Sequence, residues 1–374
     1  LKPFWLKAFL GGGSIRLLRY RTPGGWGSAR SVLPLMAPSM RMLTALVLGW
    51  CAVVGTAQEL TFPTAKHASD GQQNLVMGTA PFADYGFESF GFDSNIPGPT
   101  FRMQPGETLD IMLENALAAS DNTPCGETPG EFCETATTNL HTHGLHVSSR
   151  GLSDGLSYSS DDVSAEVAPG ASAHFKFAIP EYHMGGTHWY HPHHHHATAL
   201  QAGGGAAGFL IVEDPEGYLP AAYSTMPERL LFISGHNLVT LQAMARSASS
   251  SVLSDAADEA DAAGRDTNVF LVNGQMGPTM AIDANVWYRF RMVYAAVEQS
   301  LELSMTGDGT CVMMLLAKDG VYLHTIPRGI ATVYLYPGAR SDVAVRCSCE
   351  TYPCTAMLSS SAGRRLQGGG GGGR

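Results

Sequence analysis

Two segments of this chain repeat one pattern, and the repeat is the strongest constraint on its fold. GPTFRMQPGETLDIMLEN begins at Gly98, and GPTMAIDANVWYRFRMVY begins at Gly277. In each copy a turn and then an alternating apolar segment follow GPT, and alternation with a period of two marks a strand with one buried face. Each half also holds a strand introduced by Pro-Gly, at Pro169 and at Pro337. Two copies of one strand order predict two β-sandwich domains of the same all-β fold.

The composition agrees with packed β domains that are joined by many turns. Hydrophobic residues make up 44% of the chain and charged residues 15%, with 43 glycines and 21 prolines. We expect the first domain over residues 58–220 and the second over residues 221–355. A disordered glycine-rich tail is predicted over residues 356–374. The acidic, alanine-rich stretch 254–266 is expected to be an exposed helical or mobile insertion.

The N-terminal segment 1–57 is typical of a leader that targets the chain for export. It carries basic residues and no acidic ones. From Met40 onward a basic residue, an apolar run and a small-residue exit follow one another, as in a secretory signal peptide. The run is too short to cross a membrane, and its alternative interpretation is a buried N-terminal strand. We therefore expect a secreted, extracellular protein and leave residues 1–39 out of the predicted fold.

Charge and cysteine usage limit the partners and the compartment. The chain carries 23 basic and 33 acidic residues, a net charge of −10. An acidic chain of this kind disfavours nucleic acid and anionic membranes as partners. Six cysteines follow the leader, and an even count in an exported chain predicts disulfides. Cys125 and Cys133 flank a loop with glycine and proline and are expected to pair. The other four allow three pairings: Cys311, Cys347, Cys349 and Cys354.

Two His-X-His motifs predict a metal site. His141 and His143 lie in NLHTHGLH, and His191 and His193 lie in GTHWYHPHHHHATALQ. Residues two apart on a strand share one face, so two such pairs on neighbouring strands would bring four imidazoles together. Neutral imidazole suits copper, zinc and nickel, and copper(II) binds most tightly of the divalent series. Pro192 has no N–H group, which predicts an edge or a bend at the second motif.

The remaining histidines are expected to be structural. His194–His196 extend the run, and they are interpreted either as a loosely chelating tract or as residues on alternating faces. Neighbours on a strand point to opposite faces, so the whole run cannot serve one centre. Trp189 and Tyr190 are expected to pack beside the ligands and exclude solvent. Structural roles are expected for the isolated histidines His67, His146, His174, His183, His188, His236 and His324.

These segments resemble the first two domains of the multicopper oxidase superfamily, which includes laccase, ascorbate oxidase and bilirubin oxidase. The first-domain resemblance is carried by NIPGPTFRMQPGETLDIMLEN, NLHTHGLH and GTHWYHPHHHHATALQAGGGAAGFLIVED. The second is carried by VNGQMGPTM, WYRFRMVY, LLAKDGVYLH and YPGARSDVAV. The resemblance implies two cupredoxin-like Greek-key β-sandwich domains. It also implies a copper-dependent oxidoreductase that couples one-electron oxidation of a substrate to reduction of dioxygen to water.

The resemblance also implies roles for single residues. His141 matches the type 2 copper ligand of the family's first His-X-His motif. The type 3 ligands are matched by His143, His191 and His193. Asp154 matches an acidic residue that relays protons and orients water at the copper cluster. Its alternative interpretation is a turn aspartate before glycine.

The chain departs from the family pattern after the second histidine motif. The family's trinuclear cluster takes eight histidines, and its type 1 copper takes a cysteine that lies between two histidines in the last domain. The chain has neither the other half of the eight cluster histidines nor a cysteine between two histidines. Only His236 and His324 follow His196, and no histidine flanks Cys347 or Cys349. We therefore expect a truncated chain that lacks the type 1 copper domain. Dioxygen and an unidentified electron donor are the expected partners, and a missing third domain or an oligomer would complete the cluster. The alternative is a secreted, non-catalytic copper- or zinc-binding protein.

Overall fold

The computed structural model is built mainly of strands. Strands make up 43% and helices 12% of it. Within the described residues, no helix is long and apolar enough to cross a membrane. The structure describes residues 15–17, 58–127, 131–149, 158–159, 164–349 and 355–362.

The first half of the chain forms a sandwich of two sheets from all its described strands except the first. The strands of this half are β1 (Ile15–Leu17), β2 (Ala65–His67), β3 (Gln73–Pro81), β4 (Glu88–Phe92), β5 (Thr100–Met103), β6 (Thr108–Asn115), β7 (His141–His143), β8 (Tyr158–Ser159), β9 (Ser172–Ala178), β10 (Gly186–His191) and β11 (Gly208–Val212). One sheet has the order β2-β5-β11-β10-β7 and the other β4-β3-β6-β9-β8, whereas β1 pairs elsewhere. Leu109, Ile111 and Leu113 of β6 are buried between the sheets, as period-2 alternation predicts.

The second half forms another two-sheet sandwich. Its strands are β12 (Glu228–Asn237), β13 (Asn268–Val272), β14 (Thr279–Met280), β15 (Tyr288–Ala296), β16 (Leu301–Gly307), β17 (Thr310–Lys318), β18 (Val321–Tyr322), β19 (Arg328–Ile330), β20 (Thr332–Leu335), β21 (Arg340–Ser348) and β22 (Ala356–Ala362). One sheet runs β13-β12-β15-β21-β17-β18, with β19 on β17, and the other runs β14-β1-β22-β16-β20. The central strand β15 is buried along almost its whole length, because the first domain covers its outer face.

The two sandwiches share one strand order, which confirms the predicted repeat. In the first, β6 pairs parallel with β3 and antiparallel with β9. In the second, β15 pairs parallel with β12 and antiparallel with β21. The two strands that Pro-Gly introduces are therefore β9 and β21, in equivalent positions. The predicted all-β architecture of two sandwich domains is correct.

The structure moves the predicted boundaries at both ends of the chain. The prediction of a disordered tail is wrong for residues 356–362, which form β22 and pair with β16 over seven residues. Leu358 of this strand is buried, because it packs into the second core. Residues 15–17, which were predicted to lie outside the fold, form β1, which pairs with β14 and β22. The rest of residues 1–57 and residues 363–374 lie outside the described residues.

The acidic insertion is helical, but it is not wholly exposed. Four α-helices are described, α1 (Thr198–Gly204), α2 (Ala221–Ser224), α3 (Leu238–Ser247) and α4 (Ala256–Ala262), with short 3-10 turns at Ala68–Asp70 and Ala119–Asp121. In α4, Ala256 and Ala260 pack into the core of the first domain. Asp258 and Glu259 point to solvent. The prediction of a solvated segment is therefore wrong for the alanine face, since residues four apart share one side of a helix.

The disulfides agree with the expected oxidised state of the cysteines. Cys125 is bonded to Cys133, as predicted. Cys311 and Cys347 are bonded across the facing strands β17 and β21. Cys349 is disulfide-bonded as well. Every cysteine in the described part of the chain is therefore in a disulfide.

A buried group of charges joins the two domains. Arg289 on β15 donates to Asp342 on β21 and also to Asp214, which follows β11 of the first domain. The hydroxyl of Thr187 on β10 donates to Asp342 over 2.6 Å. Burial alone would raise the pKa of Asp342, but Arg289, Arg291 and the hydrogen bond from Thr187 hold that pKa below its ordinary value. The carboxylate thus stays charged and ties β10 to the second domain.

Candidate metal centre

Two neighbouring strands of the first domain carry the histidine motifs. Strand β7 lies at the edge of its sheet and pairs antiparallel with β10. In this register His191 is directly opposite His141, and Trp189 is opposite His143. Side chains of directly opposed residues lie on the same face of a sheet. The pairing therefore places the two motifs together, although they are far apart in sequence.

Three of the four predicted ligands converge closely. One ligand nitrogen from each of His141, His143 and His191 lies within 4.8 Å of the other two. The ring centroids of His141 and His191 are 5.1 Å apart. His193 lies beside this group, with its ring centroid 5.0 Å from that of His141 and 6.0 Å from that of His191. The structure thus gathers the four imidazoles in one place, three of them at close ligand spacing.

His191 is held neutral and in one tautomer. Its Nδ1 lies 2.9 Å from the carbonyl oxygen of Pro192. A carbonyl can only accept, so Nδ1 carries the proton and Nε2 keeps its lone pair. Burial, together with the three neighbouring histidines, lowers the pKa of His191 to about 3, against the bond to Pro192. A neutral imidazole with an unprotonated Nε2 is the form that binds a transition metal.

The proline in the second motif ends the strand. Strand β10 stops at His191, so His193 is not on a strand. Instead the backbone N–H of His193 donates to the side-chain oxygen of Asn139 over 2.6 Å. The predicted bend at Pro192 is correct, but the same-face argument for His193 is not, since a bonded loop positions it. Asn139 was not among the predicted site residues, and its place just before the first motif was the available signal.

The two aromatic residues between the histidines have different roles. The ring of Trp189 stacks on His143, with 5.1 Å between centroids, and lies 4.3 Å from the ring of His191. Trp189 is buried against the second domain, where it contacts Phe232. It therefore excludes water from one side of the histidines, as predicted. Tyr190 points to the opposite face into the first core, and its hydroxyl donates to the carbonyl of Pro99, so the prediction for Tyr190 is wrong.

The second domain closes on the centre at a glycine. Gly338 precedes β21 and has φ +81°, a left-handed conformation that L side chains rarely adopt. A Cβ atom at this position would lie 3.1 Å from Cε1 of His143. The absence of a Cβ atom at Gly338 thus permits both the left-handed turn and the close approach to the ring of His143. This wall of the centre comes from a residue that the histidine motifs did not indicate.

The other histidines of the run do not join the centre. His194 is buried, with Nε2 3.9 Å from a carboxylate oxygen of Glu166. His195 and His196 are exposed. His196 lies near the Cys125–Cys133 disulfide.

Histidines elsewhere in the first domain are structural. The Nδ1 of His183 donates to the carbonyl of Met184 over 2.7 Å, and its Nε2 accepts from the backbone of His146. Both nitrogens of His183 are therefore occupied. His188 is buried, and its burial together with the charge of Arg340 lowers its pKa to about 3. The two bonds of His183 agree with the structural role expected of it.

Two predicted features of a complete oxidase are not seen in the described residues. Asp154, the predicted proton-relaying residue, lies outside the part of the chain that the structure describes. A type 1 copper site needs a free thiolate, and each cysteine in the described ranges is in a disulfide. The donor set at the centre is imidazole only. It fits copper or zinc, since both accept neutral histidine nitrogen.

Several known proteins are similar to this chain in sequence. Two family profiles, both described as multicopper oxidase, match residues 133–217 and 181–367. The multicopper oxidase mco of Staphylococcus aureus is 24% identical over 296 residues, which cover 77% of this chain and 57% of that protein. The cell division protein FtsP of Proteus mirabilis is also 24% identical, over 75% of this chain and 51% of that protein. The chain thus spans little more than half the length of these relatives.

Solved structures share its fold. The laccase-like multicopper oxidase CueO from an Ochrobactrum species superposes with a TM-score of 0.54 at 20% identity, over 80% of this chain and 63% of that chain. A multicopper oxidase from Campylobacter jejuni, described as a metallo-oxidase, has a TM-score of 0.55 at 18% identity, over 83% of this chain and 64% of that chain. Such neighbours have the cupredoxin fold, which agrees with the predicted fold class.

Proposed function

Because this chain belongs to the multicopper oxidase family, we propose that it forms part of a copper-dependent oxidoreductase. That enzyme would couple one-electron oxidation of a donor to reduction of dioxygen to water. The observation that supports the proposal is the convergence of His141, His143 and His191 within 4.8 Å, with His193 beside them. The isolated motifs could occur in many proteins, but their cross-strand pairing in this fold is specific.

The four histidines would bind copper as one half of an oxygen-reducing cluster. We assign His141 to the type 2 copper, and His143, His191 and His193 to type 3 copper. Bound copper would supply the electron transfer, which these side chains cannot supply themselves. The carbonyl of Pro192 orients His191. Outer partners of this kind fix the ligand's tautomer and direction.

Solvent exclusion is the second contribution of the protein. Trp189 covers the rings of His143 and His191 from the side of the second domain.

Asp154 is the proposed proton carrier, on the basis of its position after the first motif. Asp154→Asn would then slow dioxygen reduction while leaving copper content unchanged.

A complete reaction needs ligands beyond these four. We propose that another domain of a longer protein supplies the remaining cluster ligands and the type 1 copper, or that a second copy of this chain supplies the remaining cluster ligands. The electron donor would bind near that type 1 site. Extracellular location is part of the proposal, and two disulfides, Cys125–Cys133 and Cys311–Cys347, support an oxidising compartment.

A non-catalytic copper protein is the second candidate function. It is favoured by the pairing of all described cysteines in disulfides, which leaves no thiolate for an electron-entry site among those residues. Oxygen uptake and optical spectra test the two candidates. Oxygen uptake with a donor, once the domain or second copy that completes the cluster is present, would support the oxidase, and copper binding without such uptake would support simple binding. An intense blue absorption from this chain alone would contradict the ligand assignment, because it needs a type 1 thiolate that the described cysteines do not offer.

The ligand assignment is tested by metal content. His143→Ala and His193→Ala should each lower the copper bound per chain, measured by mass spectrometry of the metal after removal of loosely held ions. His195→Ala is the matched control, because His195 is exposed and lies outside the converging group. An equal loss in all three variants would contradict the assignment and support a loosely chelating tract. Zinc in place of copper after expression with both metals would support the zinc alternative.

A further inference from the structure

A second group of metal-binding side chains lies at the Cys125–Cys133 disulfide. Both sulfur atoms and one ring nitrogen of His196 lie within 4.8 Å of one another. His196 ends the histidine run, and the candidate centre makes no use of it. Imidazole and thiolate together bind soft metal ions well, but a disulfide sulfur is a poor ligand. The group therefore becomes a ligand set only if the disulfide is opened.

Glu131 connects His196 to the loop that carries the two cysteines. Its carboxylate accepts a hydrogen bond from the backbone N–H of Gly126, the residue after Cys125. Its backbone carbonyl oxygen lies 3.0 Å from Nδ1 of His196. Since a carbonyl can only accept, Nδ1 of His196 carries the proton and Nε2 remains unprotonated. The imidazole is thus in a metal-binding form and is anchored to the loop that carries the cysteines.

The loop is closed by bonds that do not depend on the disulfide. The backbone N–H of Glu134 donates to the carbonyl of Thr123 over 2.7 Å, just outside the two cysteines. Cys133 is buried, with 2% of its surface exposed, whereas Cys125 is exposed. A small thiol in solution can therefore attack the sulfur of Cys125 and displace the thiolate of Cys133. The backbone bond would keep the two sulfurs near each other after cleavage.

We propose that reduction of the Cys125–Cys133 disulfide creates a copper(I) site from two thiolates and the imidazole of His196. Two molecules of a small thiol supply the two electrons and leave as their own disulfide, and each cysteine sulfur gains one proton. Those two protons are released when one cuprous ion binds to the two thiolates, and the copper is neither oxidised nor reduced. Soft thiolate ligands select copper(I) over harder ions. The site would couple copper binding to the thiol state of the surroundings.

The test uses the full chain and cuprous ion buffered by a competing chelator. After mild treatment with a dithiol, the protein should bind one more copper(I) per chain than the oxidised protein. The additional ion should persist in the double variant of the candidate centre, His143→Ala with His193→Ala. Additional copper(I) that persists in this variant does not depend on the candidate centre. The oxidase proposal can therefore fail while this proposal holds, and the reverse. Cys125→Ser with Cys133→Ser should abolish the additional binding.

His196→Ala should weaken the additional copper(I) binding by more than about tenfold, the loss that even outer partners of metal ligands typically cause. His195→Ala, one residue earlier and also exposed, is the matched control and should bind normally. In the unmutated chain, copper(I) should also protect Cys125 and Cys133 from alkylation by iodoacetamide, as read by peptide mass spectrometry. Equal copper(I) uptake by oxidised and reduced protein, alkylation that copper(I) does not change, or equal behaviour of the two histidine variants would overturn the proposal.

Discussion

Replacement of Asp342 should destabilise the protein far more than replacement of any exposed acidic residue. Its carboxylate is 1% exposed and accepts from Arg289 and Thr187, with Arg291 close by. Asp342→Asn keeps the shape but removes the negative charge, so two buried guanidinium groups lose a counter-charge. Removal of one partner from a buried ion pair typically costs about 3–5 kcal/mol, because the remaining charge is left desolvated. We expect a loss of that size in the free energy of unfolding.

Two further variants test the same reasoning at graded size. Thr187→Val removes one hydrogen bond to the buried carboxylate and should cost about 1.5–3 kcal/mol, as is typical of bonds to charged groups. Asp258→Asn breaks an ion pair with Arg246 in which both side chains are more than half exposed. Solvent screens such a pair, so its loss should cost at most about 1 kcal/mol. The predicted order of destabilisation is Asp342→Asn, then Thr187→Val, then Asp258→Asn.

Urea unfolding followed by circular dichroism measures all three variants. The midpoint should shift while the slope stays constant, because the surface exposed on unfolding is unchanged. If Asp342→Asn shifted the midpoint no more than Asp258→Asn, the buried charge group would not hold the domains together. Asp342→Asn should also lower copper retention, since Thr187 lies on the strand that carries His191. Normal copper retention in a strongly destabilised variant would refute that link between the interface and the centre.

Two other predictions follow from buried groups. Burial lowers the pKa of His236 to about 4, against the bond to Gly203, so the unfolded chain binds a proton first as the pH falls below 6.5. His236 alone should account for a loss of stability of up to about 3 kcal/mol between pH 6.5 and 4, beside the losses from His188 and His191, whose pKa values burial also lowers. His236→Gln should flatten this part of the stability curve measured by urea titration, and an unchanged curve would count against the assignment. Gly338→Ala should cost about 1–2 kcal/mol in left-handed backbone strain and also speed copper loss to a chelator, because the methyl group meets the ring of His143. Gly170→Ala is the control, with φ +77° but nothing within 4 Å; it should show the strain without the copper effect, and equal copper loss in both would contradict the contact argument.

Much of the fold could be predicted from local patterns. The alternation in β6 follows from period-2 burial, whereas β15 is buried on both faces because the first domain covers it. The repeated GPT and Pro-Gly turns mark equivalent strands in the two domains. The insertion was harder to predict, because its acidic residues suggested solvent on every side. Only the packing of Ala256 and Ala260 against the first core shows that one face of α4 is buried. Alanine is often fully buried, but acidic residues are mostly exposed, so the composition of a stretch that mixes the two does not show which face is buried.

The sequence likewise predicted only part of the candidate centre. Sequence by itself determined that His141 and His143 share one face, because side chains alternate along a strand. It also predicted an edge or a bend at Pro192, which lacks an N–H group, and β10 ends at His191. Only the tertiary structure decided that His191 lies opposite His141, since strand register depends on pairing between distant segments.

The environment of the histidines was likewise decided by long-range contacts. Gly338 meets His143 from the second domain, and Asp342 stays charged because arginines from β15 and the hydroxyl of Thr187 offset the effect of its burial. No local pattern predicts these contacts, because they arise where two separately patterned domains pack together and must satisfy every buried charge. The sequence determined which residues could bind metal. The pairing of β7 with β10 determined which of them converge, and the packing of the second domain determined how far they are shielded from solvent.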